Sequence, residues 1–291
     1  FQANGLLDIP VTVAPKYGVS VTGASSQVAD VSEGSSLISW KLEVRNLGNT
    51  KDTFSLVWDQ SGVPAGWDLT ALPTTTGLIN AGQKFTADVG LTVPADALAT
   101  ICDSNSTAQF SVVATSSDSV TSSVSQIFSA TVDQNYGVSI GVNNETKAAN
   151  PGESVDFIFS LSNLGNGQDT FTVDVSGAPA AWNTVLSEEN ITVPAVSNSQ
   201  FTLTVTIPSN RVSGDSEDFV ITASSSDGAS TANSTVKVST LQVFDIEISL
   251  YGGDGSAKVP QGSQKQLRLN ITNNGNGWDN LSFALSKEAP S

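Results

Sequence analysis

Along much of this chain apolar and polar residues alternate one for one. Ile38, Trp40, Leu42 and Val44 are separated by polar neighbours; Val155, Phe157, Phe159 and Leu161 occupy the equivalent places, as do Leu267, Leu269 and Ile271. A second set follows: Phe54, Leu56 and Trp58; Phe171, Val173 and Val175; Leu281, Phe283 and Leu285. A third pairs Phe85, Ala87, Val89, Leu91 and Val93 with Phe201, Leu203, Val205 and Ile207. Side chains of a strand point to opposite faces in turn, so a period of two bounded by Gly, Asn and Pro predicts half-buried antiparallel strands. No stretch of ten or more residues carries a helical period.

The strands come in a repeating order. Asn46-Leu47-Gly48-Asn49 followed by Asp52-Thr53-Phe54 returns as Asn163-Leu164-Gly165-Asn166 with Asp169-Thr170-Phe171, and again as Asn273-Asn274-Gly275-Asn276 with Asp279-Asn280-Leu281. Pro64-Ala65-Gly66-Trp67 matches Pro179-Ala180-Ala181-Trp182, and Tyr17-Gly18-Val19 matches Tyr136-Gly137-Val138. The spacing is that of one immunoglobulin-like domain. Each repeat therefore predicts about seven strands closing a two-sheet sandwich, with one set of side chains filling the layer between the sheets. The fold class is all-β: tandem immunoglobulin-like antiparallel β-sandwiches, expected as an extended rod because Val132 to Tyr136 and Thr240 to Phe244 leave little slack between repeats.

The predicted partition is residues 1–16 as the last strand of a preceding domain, 17–134 as repeat 1, 135–243 as repeat 2 and 244–291 as the first half of repeat 3. Leu7, Ile9, Val11 and Val13 align with the closing strands Ile127 to Val132 and Val236 to Val238. On this reading the parent polypeptide extends beyond both ends.

Composition narrows the chemistry. The net charge is −16, from 28 acidic against 12 basic residues. That argues against a nucleic-acid partner and for a soluble, secreted surface that can attract divalent cations. The absence of His removes Ser–His and Cys–His catalysis and His-ligated zinc together. Cys102 is the only cysteine, so no intrachain disulfide forms. No apolar run is long enough for a membrane-spanning helix.

The order Pro-Gly, alternating strand, Asn-x-Gly-Asn with Asp-Thr-Phe, Gly-Trp, Val-Pro resembles the NEW3-type and CARDB-like immunoglobulin-fold repeats of archaeal and bacterial secreted proteins. It is carried by both full repeats and the partial third. The resemblance implies a spacer in a surface-layer protein, an adhesin or a large extracellular enzyme. The first repeat departs from the pattern by an insertion around Ala97 to Asn105, and the third by Trp278 in its turn.

Few residues offer chemistry. Asp52, Asp169 and Asp279 recur after each turn, either fixing the turn through backbone N–H groups or contributing to calcium sites. Asp215, Glu217 and Asp218 form the densest acidic cluster, a weak calcium candidate or a solvated loop. Trp67 and Trp182 are either sugar-stacking platforms or packing residues, and their place in an apolar repeat favours packing. Asn105, Asn144, Asn190, Asn233, Asn270 and Asn280 head Asn-x-Ser/Thr sequons, glycosylation candidates whose number is close to what this composition yields by chance.

These observations point to a non-enzymatic, extracellular, cell-surface segment of a surface-layer, filament or adhesin stalk, without an obligatory cofactor. Its expected partners are other copies or neighbouring domains of the same assembly, and glycans. The alternative is an accessory carbohydrate-binding or spacer module of a secreted hydrolase.

Overall fold

The computed structural model describes residues 9–101, 103, 106–177, 179–252, 258–284 and 286. The chain clusters into two compact units. One runs to Tyr136 and takes in Gly165–Gln168; the other holds Gly137–Leu164 and the chain from Asp169 onward. Among the described residues all regular structure is strand, apart from single turns.

The first unit begins with β1 (Val19–Thr22) and β2 (Ser26–Ala29), followed by β3 (Ser36–Asn46), β4 (Asp52–Gly62), β5 (Asp68–Thr70), β6 (Thr75–Ile79), β7 (Lys84–Val93), β8 (Ala108–Ser116) and β9 (Ser123–Val132). They form a four-stranded sheet ordered β1-β3-β7-β5 and a five-stranded sheet ordered β2-β9-β8-β4-β6. The second unit repeats this with β10 (Val138–Val142), β11 (Thr146–Ala149), β12 (Ser154–Asn163), β13 (Asp169–Ser176), β14 (Asn183–Leu186), β15 (Asn190–Val193), β16 (Asn198–Thr206), β17 (Ser216–Ser224) and β18 (Thr231–Thr240). Its sheets read β10-β12-β16-β14 and β11-β18-β17-β13-β15, the same order strand for strand. A last antiparallel pair, β19 (Ile246–Leu250) and β20 (Leu269–Asn273), also lies in the second unit.

The alternation sets which side chains enter the layer. Trp40, Leu42 and Val44 of β3 face Phe110, Val112 and Ala114 of β8, all essentially inaccessible. Trp40 meets Phe110 edge-on with ring centroids 5.1 Å apart, and Phe110 stacks on Phe128 at 5.2 Å. In the second unit Phe159 stacks on Phe201 at 5.1 Å, and Trp182 meets Phe219 edge-on at 5.6 Å. Such aromatic pairs contribute about 0.5–1.5 kcal/mol beyond their buried area.

The structure departs from the sequence reading in four places. Each sandwich has nine strands rather than seven, because its first strand divides: β1 joins one sheet, and β2 crosses to the other. There β2 pairs parallel with the closing strand β9, as β11 does with β18, so pairing is not wholly antiparallel. Between β4 and β7, and between β13 and β16, the chain gives one short edge strand to each sheet, β5 and β6 in the first unit and β14 and β15 in the second. Residues 9–16 form no strand; Ile9, Val11 and Val13 are exposed and lack a strand neighbour, and Leu7 lies outside the described residues. After β20, Leu281 and Phe283 are not in a strand, Leu267 precedes β20, and Leu285 is outside the described residues.

Candidate functional site

The recurring Asn-x-Gly-Asn…Asp motif sits between β3 and β4, between β12 and β13, and after β20. Its three polar side chains do three separate jobs.

The first asparagine holds the turn together. Asn46 is fully buried at the end of β3; its Oδ1 accepts the Gly48 N–H (2.8 Å), and its Nδ2 donates to the carbonyls of Thr50 (2.8 Å) and Ile79 (3.0 Å). Asn163 donates likewise to Val193 (3.0 Å) and Pro194 (3.2 Å). Asn273 accepts from Gly275 (2.9 Å) and donates to Gly277 (2.8 Å). A buried carboxamide must find such partners, and here they are backbone groups of the turn itself and of the strand ends at Ile79 and Val193.

The second asparagine clips a passing segment. Asn49 Oδ1 accepts the Lys16 N–H (2.7 Å), while its Nδ2 donates to the Ala14 carbonyl (3.0 Å). Asn166 takes the Asn135 N–H (2.7 Å) and donates to Asp133 (3.0 Å). Asn276 takes the Val243 N–H (2.7 Å) and donates to Leu241 (2.8 Å). In every copy the carboxamide bonds the N–H of one residue and the C=O two residues earlier, which is how a strand neighbour would bond them. Asn166 and Asn276 reach further, to the carbonyls of Ala97 (3.2 Å) and Arg211 (3.4 Å), and their own carbonyls accept from Ala99 and Ser213. Gln134 and Gln242, central in their clipped tripeptides, add bonds to the carbonyls of Gln168 and Trp278. Glycine is required at Gly48 because a Cβ there would stand 2.5 Å from the Lys16 carbonyl oxygen.

The aspartate does not fix this turn, contrary to the sequence reading. Asp52 and Asp169 are buried at the starts of β4 and β13 and anchor a distant hairpin. Asp52 Oδ2 accepts from Ser116 Oγ (2.6 Å) and its Oδ1 from Ser117 Oγ (3.3 Å) and Thr53 N–H (2.7 Å). Asp169 accepts from Ser225 Oγ and Ser226 Oγ, both at 2.5 Å, and from Thr170 N–H (2.7 Å). Asp279 is half-buried, and the described residues following β20 supply no such serine pair.

The acidic cluster does not converge. Asp215 and Glu217 face Arg211 at 3.7 and 3.9 Å, whereas Asp218 turns to Lys237 at 3.5 Å on the other side of β17. Arg211 also lies over the Trp182 ring, 5.5 Å from its centroid. Among the described residues no three acidic or cysteine side chains are grouped to hold a metal ion. Asp227, which tops the β17–β18 hairpin, has its pKa lowered to about 2, chiefly by the Ser230 N–H and also by Ala229 N–H and the Ser230 and Ser225 hydroxyls. Asp30 and Asp59 are lowered by the N–H groups of Ser32 and Ser61.

Trp182 is buried and Trp67 half-buried against the core, so neither offers a flat exposed ring; Trp278 is 99% exposed. Asn144, Asn190, Asn233, Asn270 and Asn280 are exposed, while Asn105 and Cys102 lie outside the described residues.

No family model matches this chain, and no curated protein matches it. Solved structures similar to parts of it include the D00-D0 domain of intimin, at 13% identity over 76% of this chain and 98% of that one, TM-score 0.34. Domains 4 and 5 of the S-layer protein SbsC match at 11% identity over 57% and 86%, TM-score 0.27. The PapD-like domain 7 of human CEP192 matches at 12% over 35% and 83%, TM-score 0.26. At these scores the assignment of an immunoglobulin-like sandwich rests on the strand order and core described above. The NEW3-type and CARDB-like resemblance rests on its motifs alone.

Proposed function

We propose that this chain is a non-catalytic structural segment of an extracellular surface protein, built of repeated sandwiches that act as spacers. The observation that carries this reading is where the recurrent residues go. In both full repeats the conserved-in-register Trp and Phe fill cores, the paired asparagines bond backbone, and the aspartate anchors a hairpin. In these two repeats each of the recurrent Asn and Asp side chains already bonds within the chain. Function in such a protein lies in holding a fold under outside conditions, and a high negative charge suits a solvated surface.

The reading is tested by labelling intact, non-permeabilised source cells with an antibody raised against this chain. Surface labelling that is removed by external protease is the expected result. Labelling that appears only after permeabilisation would reject it. A glycan-binding accessory module is the second reading, favoured by one observation, the fully exposed Trp278 ring. It requires glycan-array binding that Trp278→Ala abolishes; silence of the array leaves the spacer reading alone.

A further inference from the structure

The outward face of the five-stranded sheet in the first unit carries one large apolar residue on every strand. In spatial order these are Val28 on β2, Ile127 on β9, Val113 on β8, Val57 on β4 and Leu78 on β6, between 36% and 64% exposed. The register places Val113 directly beside Val57, Ile127 beside Ser111, and Leu78 beside Thr53. The five side chains therefore step diagonally across the sheet. Their surroundings on that face are Ser55, Ser111, Thr115, Ser125 and Ser129, and the only ionisable outward residue of the five strands is Asp59, near the far end of β4.

The second unit supplies an internal comparison. By the same register its positions are Ala148, Thr235, Thr222, Asp174 and Thr192, none of them a large apolar residue. That face also presents Asp218 and Lys237, together with the sequon asparagines Asn190 and Asn233. The sandwich thus has no need of apolar residues at these positions. Their presence in the first unit serves something outside it.

We infer that this stripe is the contact face for a second copy of the same chain. The inference rests on the structural-segment reading above and names its partner. Charge permits a like copy: in a molecule of net charge −16, two copies repel each other least across a face that carries almost no charge, and this one qualifies. Symmetry permits it, since a two-fold axis lying along the stripe lays each apolar row on its own copy. The area sets the strength. Three of the strands are nine to eleven residues long and the two outer ones only four and five. At a strand spacing of about 4.8 Å and a rise of about 3.3 Å per residue they offer roughly 600 Å² per partner. The total of about 1,200 Å² is the lower edge of specific interfaces, so one pair is weak and association becomes firm only where many copies are held side by side.

Sedimentation equilibrium of the 291-residue chain, from about 10 μM to about 1 mM, tests this. A monomer–dimer equilibrium in the upper micromolar range is expected, tightening as salt is raised from about 0.1 M to about 1 M, because screening removes the repulsion between acidic copies. Replacing Val57→Asp, Val113→Thr, Ile127→Thr and Leu78→Thr, the residues of the second unit, should weaken the dimer at least about tenfold. The reciprocal set, Asp174→Val, Thr222→Val, Thr235→Ile and Thr192→Leu, should add a second association step. A chain that stays monomeric throughout at high salt, a dimer indifferent to the stripe substitutions, or one that salt dissolves would each overturn the inference. None of these outcomes bears on where the chain resides, which surface labelling decides separately.

Discussion

Replacing Asp169 by alanine isolates the anchor between the start of β13 and the β17–β18 hairpin. The carboxylate is 3% exposed and accepts from two serine hydroxyls at 2.5 Å and from the Thr170 N–H at 2.7 Å. Hydrogen bonds to a charged group contribute about 1.5–3 kcal/mol net, and a buried donor left without an acceptor costs about 1–3 kcal/mol. Ser225 is itself buried; its oxygen still accepts the Asp227 N–H weakly at 3.4 Å, but its proton loses its acceptor. Ser226 is more open and can turn to water. The sum of one lost charge-assisted bond and part of one stranded hydroxyl is about 3 kcal/mol, some of it offset because a carboxylate no longer has to be desolvated. With a urea m-value of about 1.2 kcal/mol/M for a domain this size, the midpoint should fall by about 2.5 M.

Two sandwiches need not unfold together, so the signal must belong to one of them. Trp182 is the only tryptophan in the second core, and Trp40, Trp58 and Trp67 pack in the first. Variants carrying phenylalanine at the three first-core positions leave Trp182 as the structured reporter, Trp278 being exposed already. Asp169→Ala should then move the Trp182 transition, and the double variant Asp169→Ala/Ser225→Ala should recover at least about 1 kcal/mol of the loss, since removing both partners strands nothing. A shift below about 1 kcal/mol for the single variant, or strict additivity of the pair, would refute the anchor.

Three further outcomes follow from the same geometry. Asn276→Ala removes the acceptor for Val243 N–H and the donor to Leu241, so hydrogen exchange at Val243 should accelerate about tenfold while the β12–β16 amides keep their protection. Gly48→Ala would push a methyl onto the Lys16 carbonyl oxygen, and exchange at Lys16 should rise as the Asn49 bonds open, with a stability loss of about 1–2 kcal/mol. Carboxyl NMR should find Asp227 titrating near a pH of about 2. Its folded value lies below its unfolded value of about 3.9, so its contribution to stability is complete above that range and disappears as pH falls through about 2; Asp227→Asn should flatten that segment of the acid-unfolding curve.

The long strands were legible because their alternation extends over several residues. β3, β7 and β8 each present at least three inward apolar residues in step, which is enough for a period of two to stand out. β2 has four residues and buries only Ala29, and β5 has three, so neither holds a period at all. Their existence depends on a neighbouring ladder, β9 for one and β7 for the other, that a local window does not contain. The Asn-x-Gly-Asn repeat was visible as a motif, but not the division of labour within it. Asn46 finds its partner at Ile79, Asn49 at Ala14, and Asp52 at Ser116, each more than thirty positions away along the chain. Side chain-to-backbone bonds have no periodicity, and the serine pair that receives the aspartate is one of many Ser-Ser and Ser-Thr steps in a hydroxyl-rich sequence. The acidic run at Asp215, Glu217 and Asp218 looked like one cluster because sequence adjacency was read as proximity. In a strand it means the reverse, since neighbours point to opposite faces.

The parallel ladder between β2 and β9 has a mechanical consequence. It joins the beginning of a sandwich to its end through four residue pairs, Ser26 with Ser129 through Ala29 with Val132. When tension is applied to the two ends of such a unit, one strand is drawn backward and the other forward along a shared axis. The bonds between them lie across the pull and must yield together, as a lap joint does, rather than one after another as in a zipper. Once β1 has passed the load on, a unit so closed resists stretching at the joint between its second strand and its last.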